Sequence, residues 1–227
     1  MSLRVAAAIA IHLLTASGAL LGLLALGYGA SREWSSVFLC LGIALVIDGL
    51  DGPLARRCGV EEVLPRFSGV RLDLTVDYLN YCVVPAFVVL HGPLVSGAMG
   101  YFSAAVLLLT SLFHFADRRA KTEDGYFVGF PAVWNIVVFY FFALGMSGNA
   151  VALAIMAIGV FSFIPFKWTH PFRVVAYRLV TLAVTAMWSG AALYTVVTGF
   201  PAHFVAQLFL LAAAFYFVGL CALASRG

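Results

Sequence analysis

Four aspartates, Asp48, Asp51, Asp73 and Asp77, fall close together in a chain of 227 residues that holds only 10 Asp and Glu in all. Asp48 and Asp51 lie three apart, and Asp73 and Asp77 four apart, spacings that set each pair on one face of a helix. Two such faces turned toward each other make a cluster of four carboxylates. Like charges that close repel one another, and the arrangement makes sense when divalent cations sit between them. All-oxygen ligands suit hard ions such as Mg2+ or Mn2+, not zinc. Two metals sharing carboxylates form the clamp that steadies the attacking and leaving oxygens of a phosphoryl displacement. Gly49, Gly52 and Gly69 remove side chains where helices or a substrate must come close. Arg56, one turn beyond Gly52, can reach phosphate oxygens as a planar fork. An acidic cap neutralised by Arg56, Arg57, Arg66 and Arg71 would account for the charges, but not for the paired spacings or the glycines.

The elements that must position these acids are apolar. The composition is 63% hydrophobic and 10% charged, with a mean hydropathy of +1.04, whereas a soluble domain carries roughly a quarter charged residues. The chain is therefore expected to be an all-α integral membrane protein. Its net charge of +3 is too small to argue for nucleic acid. Cys40, Cys58, Cys82 and Cys221 lie far apart and form no CxxC pair, so they read as small hydrophobes. The apolar run after Arg4 is longer than the 7–15 residues or so of a signal-peptide core, and it reads as a retained first span.

A spanning helix needs about 20 apolar residues. Three stretches, 78–116, 125–166 and 179–225, contain no Asp, Glu, Lys or Arg. Each is long enough for two spans and is broken near its middle by a turn signal: "HGPLVSG", "MSGN" and "TGFPAH". With two single spans before them, eight transmembrane helices are expected, at about 5–28, 34–56, 70–90, 97–117, 131–146, 149–166, 177–198 and 202–224. A cytoplasmic N-terminus then puts every Lys and Arg except Arg32 inside, as the positive-inside rule requires. Both termini and the four acids would face the cytoplasm, and residues 1–227 would form a single transmembrane catalytic domain.

The segment "DGLDGPLAR…GVRLDLTVD" reads as DxxDGxxAR, a spacer, then GxxxDxxxD, and it resembles the signature of the CDP-alcohol phosphotransferase family. Twelve residues separate Arg56 from Gly69, a spacer longer than most members have. It is similar to that of the bacterial branch that makes phosphatidylcholine, as are "KTEDGYFVGFPAVWNIVVFY" and "THPFRV". The resemblance implies a six-helix family core plus two further helices in a bacterial inner membrane. It implies transfer of a phosphatidyl group from CDP-diacylglycerol to choline, with release of CMP, on two Mn2+ or Mg2+ ions. By the same likeness, Asp48, Asp51 and Asp73 would hold one metal, and Asp51, Asp73 and Asp77 the second. Asp77 would also be the catalytic base, and Gly52, Ala55, Arg56 and Gly69 would line the CDP-diacylglycerol site. A homodimer through the spans is a further implication.

Choline's quaternary ammonium donates no hydrogen bond and is held by aromatic faces. Tyr78, Tyr81, Tyr126, Phe127, Trp134 and Trp168 are the candidates, Tyr126 and Trp134 foremost, and Asn135 would either orient the hydroxyl or bond a neighbouring backbone; aromatic residues also belt any membrane protein at its interfaces. Arg118, Arg119, Lys121 and Arg178 need no substrate as positive-inside residues; Arg173, beside His170, is the expected exception, on the donor's phosphates. Serine, glycerol phosphate or inositol phosphate are alternative acceptors within the family. Outside it, intramembrane acids also mark cation transporters, but these would place them near the midplane.

Overall fold

The computed structural model describes residues 2–120, 127–168 and 177–225. Among them, six helices are long and apolar enough to cross a membrane, so the chain is a multi-pass integral membrane protein. Helix α1 (Leu3–Ala30) starts at Ser2, whose Oγ accepts from the Val5 N–H, and α2 (Trp34–Cys58) ends at Gly59 in the left-handed conformation. Each of these helices presents unburied apolar side chains, among them Leu20 and Leu23 on α1, Ile43 and Val46 on α2, Leu109 and Phe113 on α6 (Gly97–Ala116) and Phe215 on α10 (Phe204–Ala224). In water such surface would be costly; against lipid it is not.

The third span is one helix of mixed winding, α4 (Gly69–Tyr78), a π turn (Leu79–Val83) and α5 (Val84–His91). Pro85 explains the change of pitch. It has no N–H for the Tyr81 carbonyl four residues back, and its ring would crowd that carbonyl. The wider turn, closed by Val84 N–H to Leu79 O, relieves the crowding. This span lies flush against α1 because α1 has glycines there. A Cβ at Gly18 would sit 2.5 Å from Val76 Cγ1, and one at Gly22 would sit 2.9 Å from Asn80 Oδ1. Gly18 and Gly22 are four apart, the small-residue spacing that lets membrane helices approach closely.

The twelve-residue spacer does not push α4 away. It folds into a single turn, α3 (Val60–Val63), whose buried Val60 docks on Ala8 and Ile11 of α1, and Ser68 Oγ then caps α4 by accepting from Arg71 N–H.

The expected fifth and sixth spans appear as shorter helices, α7 (Trp134–Ala143) and α8 (Asn149–Phe161). At 1.5 Å per residue they are about 15 and 20 Å long, against roughly 30 Å of hydrocarbon. Pro131 on one side and Gly145 and Gly148 on the other, both at positive φ, stop α7; Pro165 follows α8. The bases of this hairpin are joined by a two-residue antiparallel ribbon, β1 (Phe127–Val128) with β2 (Lys167–Trp168), in the register Phe127 to Trp168. Its tip meets the tips of its neighbours: Gly148 N–H donates to Leu94 O at 2.6 Å, and Ala202 N–H to Ala143 O at 2.9 Å. Ala202 precedes α10 and closes the turn after α9 (Arg178–Thr198). The same end is filled by aromatic rings, with Phe38 of α2 packed on Phe139, Phe142 and Phe200 at centroid distances of 5.6, 5.2 and 5.1 Å.

Gly18→Ala therefore forces α1 and α4 apart, at a cost of about 1–3 kcal/mol. In detergent micelles its Tm is expected to fall by several degrees, whereas Gly27→Ala, with no atom within 4 Å of the new Cβ, should not lower it. Equal effects from the two would refute the close-packing account.

Candidate active site

The acids lie about one to three turns in from the end of α2 and the start of α4, Asp48 and Asp51 on α2, Asp73 and Asp77 on α4. All four line one recess, together with Thr15, Asn80 and Tyr81. One oxygen from each of Asp48, Asp73 and Asp77 lies within 4.8 Å of the others. Asp51 is buried, and its Oδ2 accepts a 2.6 Å hydrogen bond from Thr15 Oγ1 of α1. Asp48 Oδ2 accepts one of 2.7 Å from the Tyr81 hydroxyl. Asn80, also buried, donates through Nδ2 to Gly18 O and Val76 O at 3.0 and 3.1 Å, which ties the π turn to α1. No donor among the described residues reaches its Oδ1.

The donor set fits a hard divalent cation. Oxygens bound opposite one another on an ion, each about 2.1 Å from it, stand roughly 4.2 Å apart, and the three carboxylates already meet within 4.8 Å. They are all oxygen, partly buried and drawn from two helices, so they could hold a metal ion between those helices. The grouping differs from the one that the family likeness implies, in which both metal sets included Asp51. Here the three acids that converge are Asp48, Asp73 and Asp77, and Asp51 is drawn toward α1.

The other expected site residues divide. Arg56 curls back over the backbone of Gly52, where a Cβ would stand 3.4 Å from its Nη1; that glycine leaves room for the guanidinium. Gly69 begins α4 beside His12, with 3.5 Å from a Cβ there to Cε1. Ala55 packs with the Ala8, Ile11 and Val60 cluster. Tyr81 is at the recess, but its hydroxyl is committed to Asp48. Trp134 is fully buried, its indole N–H donating to Ser111 Oγ at 2.8 Å and its ring packed by Phe130. Asn135 is buried next to it. Both stand on the helix that packs against the π turn. Tyr126 and Arg173 lie outside the described residues, as do Lys121 and His170.

Thr15, Gly18 and Asn80 were not anticipated. The signals available were polar side chains in otherwise apolar spans and the Gly18–Gly22 spacing.

No family model matches the chain. Individual proteins do. It is 40% identical to the phosphatidylcholine synthase of Mesorhizobium japonicum over 81% of its own length and 68% of that protein's. It is equally identical to the phosphatidylcholine synthase of Bradyrhizobium diazoefficiens, over 84% and 71%. With the enzyme of that name from Pseudomonas aeruginosa it shares 38% identity over 93% and 89%.

Trp134→Phe removes the hydrogen bond to Ser111 and leaves a small void. A loss of about 1–3 kcal/mol is expected, seen as a lower Tm, with Mn2+ affinity changed less than twofold. Lost Mn2+ binding at an unchanged Tm would instead place this indole in the site itself.

Proposed function

The chain belongs to the phosphatidylcholine synthase family, and we propose that it transfers the phosphatidyl group of CDP-diacylglycerol to choline at this recess, in a metal-dependent reaction that releases CMP. The observation that carries the metal requirement is the convergence of Asp48, Asp73 and Asp77 within 4.8 Å. Bound there, two Mn2+ or Mg2+ ions would supply neutralising charge to the pyrophosphate and to the departing CMP oxygen. The chain's own groups do the rest. Asp77 takes the proton from choline's hydroxyl. The freed oxygen attacks the lipid-side phosphorus, the bond from that phosphorus to the CMP oxygen breaks, and CMP leaves. Asp51, steadied by Thr15, would complete the acid set that holds the ions. Arg56, bent over Gly52, offers its planar fork to the donor's phosphates. Gly69 and Ala55 flank that site, and Arg173 is assigned to the same phosphates. For the choline cation, the Tyr81 ring is the aromatic face at the recess and Tyr126 a second, while Trp134 and Asn135 serve through the packing of their helix against the π turn.

We assign both termini and the recess to the cytoplasmic side of a bacterial inner membrane, from the distribution of Lys and Arg. The α7–α8 hairpin supports this parity, because β1 and β2 pair its two ends together and return it to the side where it starts. Its tip is hydrogen-bonded to those of the neighbouring hairpins, which supports eight crossings, completed by the residues flanking its short helices. A transporter reading is disfavoured because the acids gather on the C-terminal half of α2 and the N-terminal half of the third span.

Purified protein given CDP-diacylglycerol, Mn2+ and competing labelled choline, serine and glycerol phosphate is expected to label phosphatidylcholine alone. Chelation should abolish the product, and Asp77→Asn should lower the rate at least about 100-fold, the usual contribution of a general base. Product from another acceptor would overturn the choline assignment, and near-normal turnover by Asp77→Asn would overturn that of the base.

A further inference from the structure

The two α2 carboxylates at the recess are each held by a hydroxyl from a different helix. Thr15 of α1 reaches Asp51 Oδ2 at 2.6 Å, and Tyr81 of the π turn reaches Asp48 Oδ2 at 2.7 Å. Thr15 is 7% exposed and Tyr81 6%, so water does not readily replace either donor. Thr15 Oγ1 also lies 3.3 Å from Ile11 O, but it has one proton, and the shorter contact to a charged oxygen takes it. Both hydroxyls are positioned by the features that shape this end of the bundle. Gly18 and Gly22 bring α1 against the third span, and the π turn before Pro85 sets the direction of Tyr81.

A hydroxyl on Oδ2 takes one of that oxygen's two lone pairs and fixes the rotation of the carboxylate. Turning to grip a cation evenly with both oxygens then strains or breaks a charge-assisted hydrogen bond. That penalty does not fall equally on all ions. Ca2+ takes six to eight oxygens at about 2.3–2.6 Å and commonly uses carboxylates through both oxygens; Mg2+ demands an octahedron at about 2.0–2.1 Å, built from single oxygens and water. From this geometry we infer that Thr15 and Tyr81 are the specificity-determining positioning residues of the cation site. By fixing the rotation of Asp51 and Asp48, they make the recess select small octahedral cations against Ca2+. The inference rests on the proposed function's reading of the recess as a divalent-cation site, and it adds what sets the choice of ion.

The test is metal binding to the full chain in detergent micelles, without substrate. Bound Mn2+ is followed by loss of the free-ion paramagnetic resonance signal, and Mg2+ and Ca2+ are titrated in as competitors. Wild type is expected to release Mn2+ to Mg2+ more readily than to Ca2+. In Tyr81→Phe and in Thr15→Val, the Ca2+ concentration that displaces half of the Mn2+ should fall roughly tenfold relative to the Mg2+ concentration, the change expected for one hydrogen bond to a charged group. Thr15→Ser, which keeps the hydroxyl, should behave as wild type, and a merely structural loss would weaken all three ions alike. An unchanged ratio of Ca2+ to Mg2+ in either folded single variant removes that residue from the inference, and an unchanged ratio in both overturns it. Should one variant not fold, the other and Thr15→Ser decide the matter. If wild type takes up no Mn2+, the proposed metal dependence fails first, and this inference falls with it.

Discussion

Mutual repulsion among the carboxylates is the constraint on which the rest of this structure depends. Two unit charges 4.8 Å apart repel by about 3–4 kcal/mol at an effective dielectric of 20. Three converging acids make three such pairs, a cost comparable with the whole stability of a small protein. A fold that gathers Asp48, Asp73 and Asp77 must therefore offset that repulsion, and a divalent cation bound between them does so by lying closer to each carboxylate than the carboxylates lie to one another. The same repulsion makes the surrounding architecture necessary. Without cations in place, the acids would drive α2 and α4 apart unless both helices were held against a third element.

That element is α1. It packs along α2, and it meets the third span through Gly18 and Gly22. Asn80 clasps it through the Gly18 carbonyl, and Thr15 clasps Asp51 from the other side. At the opposite end the hairpin tips are joined by backbone hydrogen bonds and filled by the Phe38, Phe139, Phe142 and Phe200 rings. The bundle is thus tied by apolar packing at one end and by hydroxyl and amide contacts at the other. The polar end is the one to which the proposed chemistry is assigned.

Much of this was legible in the amino-acid order, for definite reasons. The six long helices fall within a few residues of the expected spans, because uncharged runs and turn glycines report the hydrocarbon layer directly. The paired aspartates were legible because carboxylates are costly in such a chain. Thr15 was not. In an apolar helix, threonine most often bonds a carbonyl of its own preceding turn, as Thr185 and Thr195 do here, and nothing local marks the one that turns outward to an acid. Tyr81 was singled out as an aromatic face for a cation, and its hydroxyl proves to serve Asp48. Pro85 was visible, but whether a membrane proline is absorbed by a kink or a π turn depends on neighbours that lie far off in sequence. The shortness of α7 was hidden because an apolar run reads the same whether it is wound or extended, and residues 129–133 are not helical.

The most direct measurement is anomalous X-ray diffraction from crystals of the protein grown with Mn2+. The account predicts two anomalous peaks about 3.5–4 Å apart in the recess, with Asp48, Asp73 and Asp77 bound to the ions and Asp51 reaching one of them. Asp side chains splayed onto separate surfaces, or a recess with no anomalous density at saturating Mn2+, would contradict it.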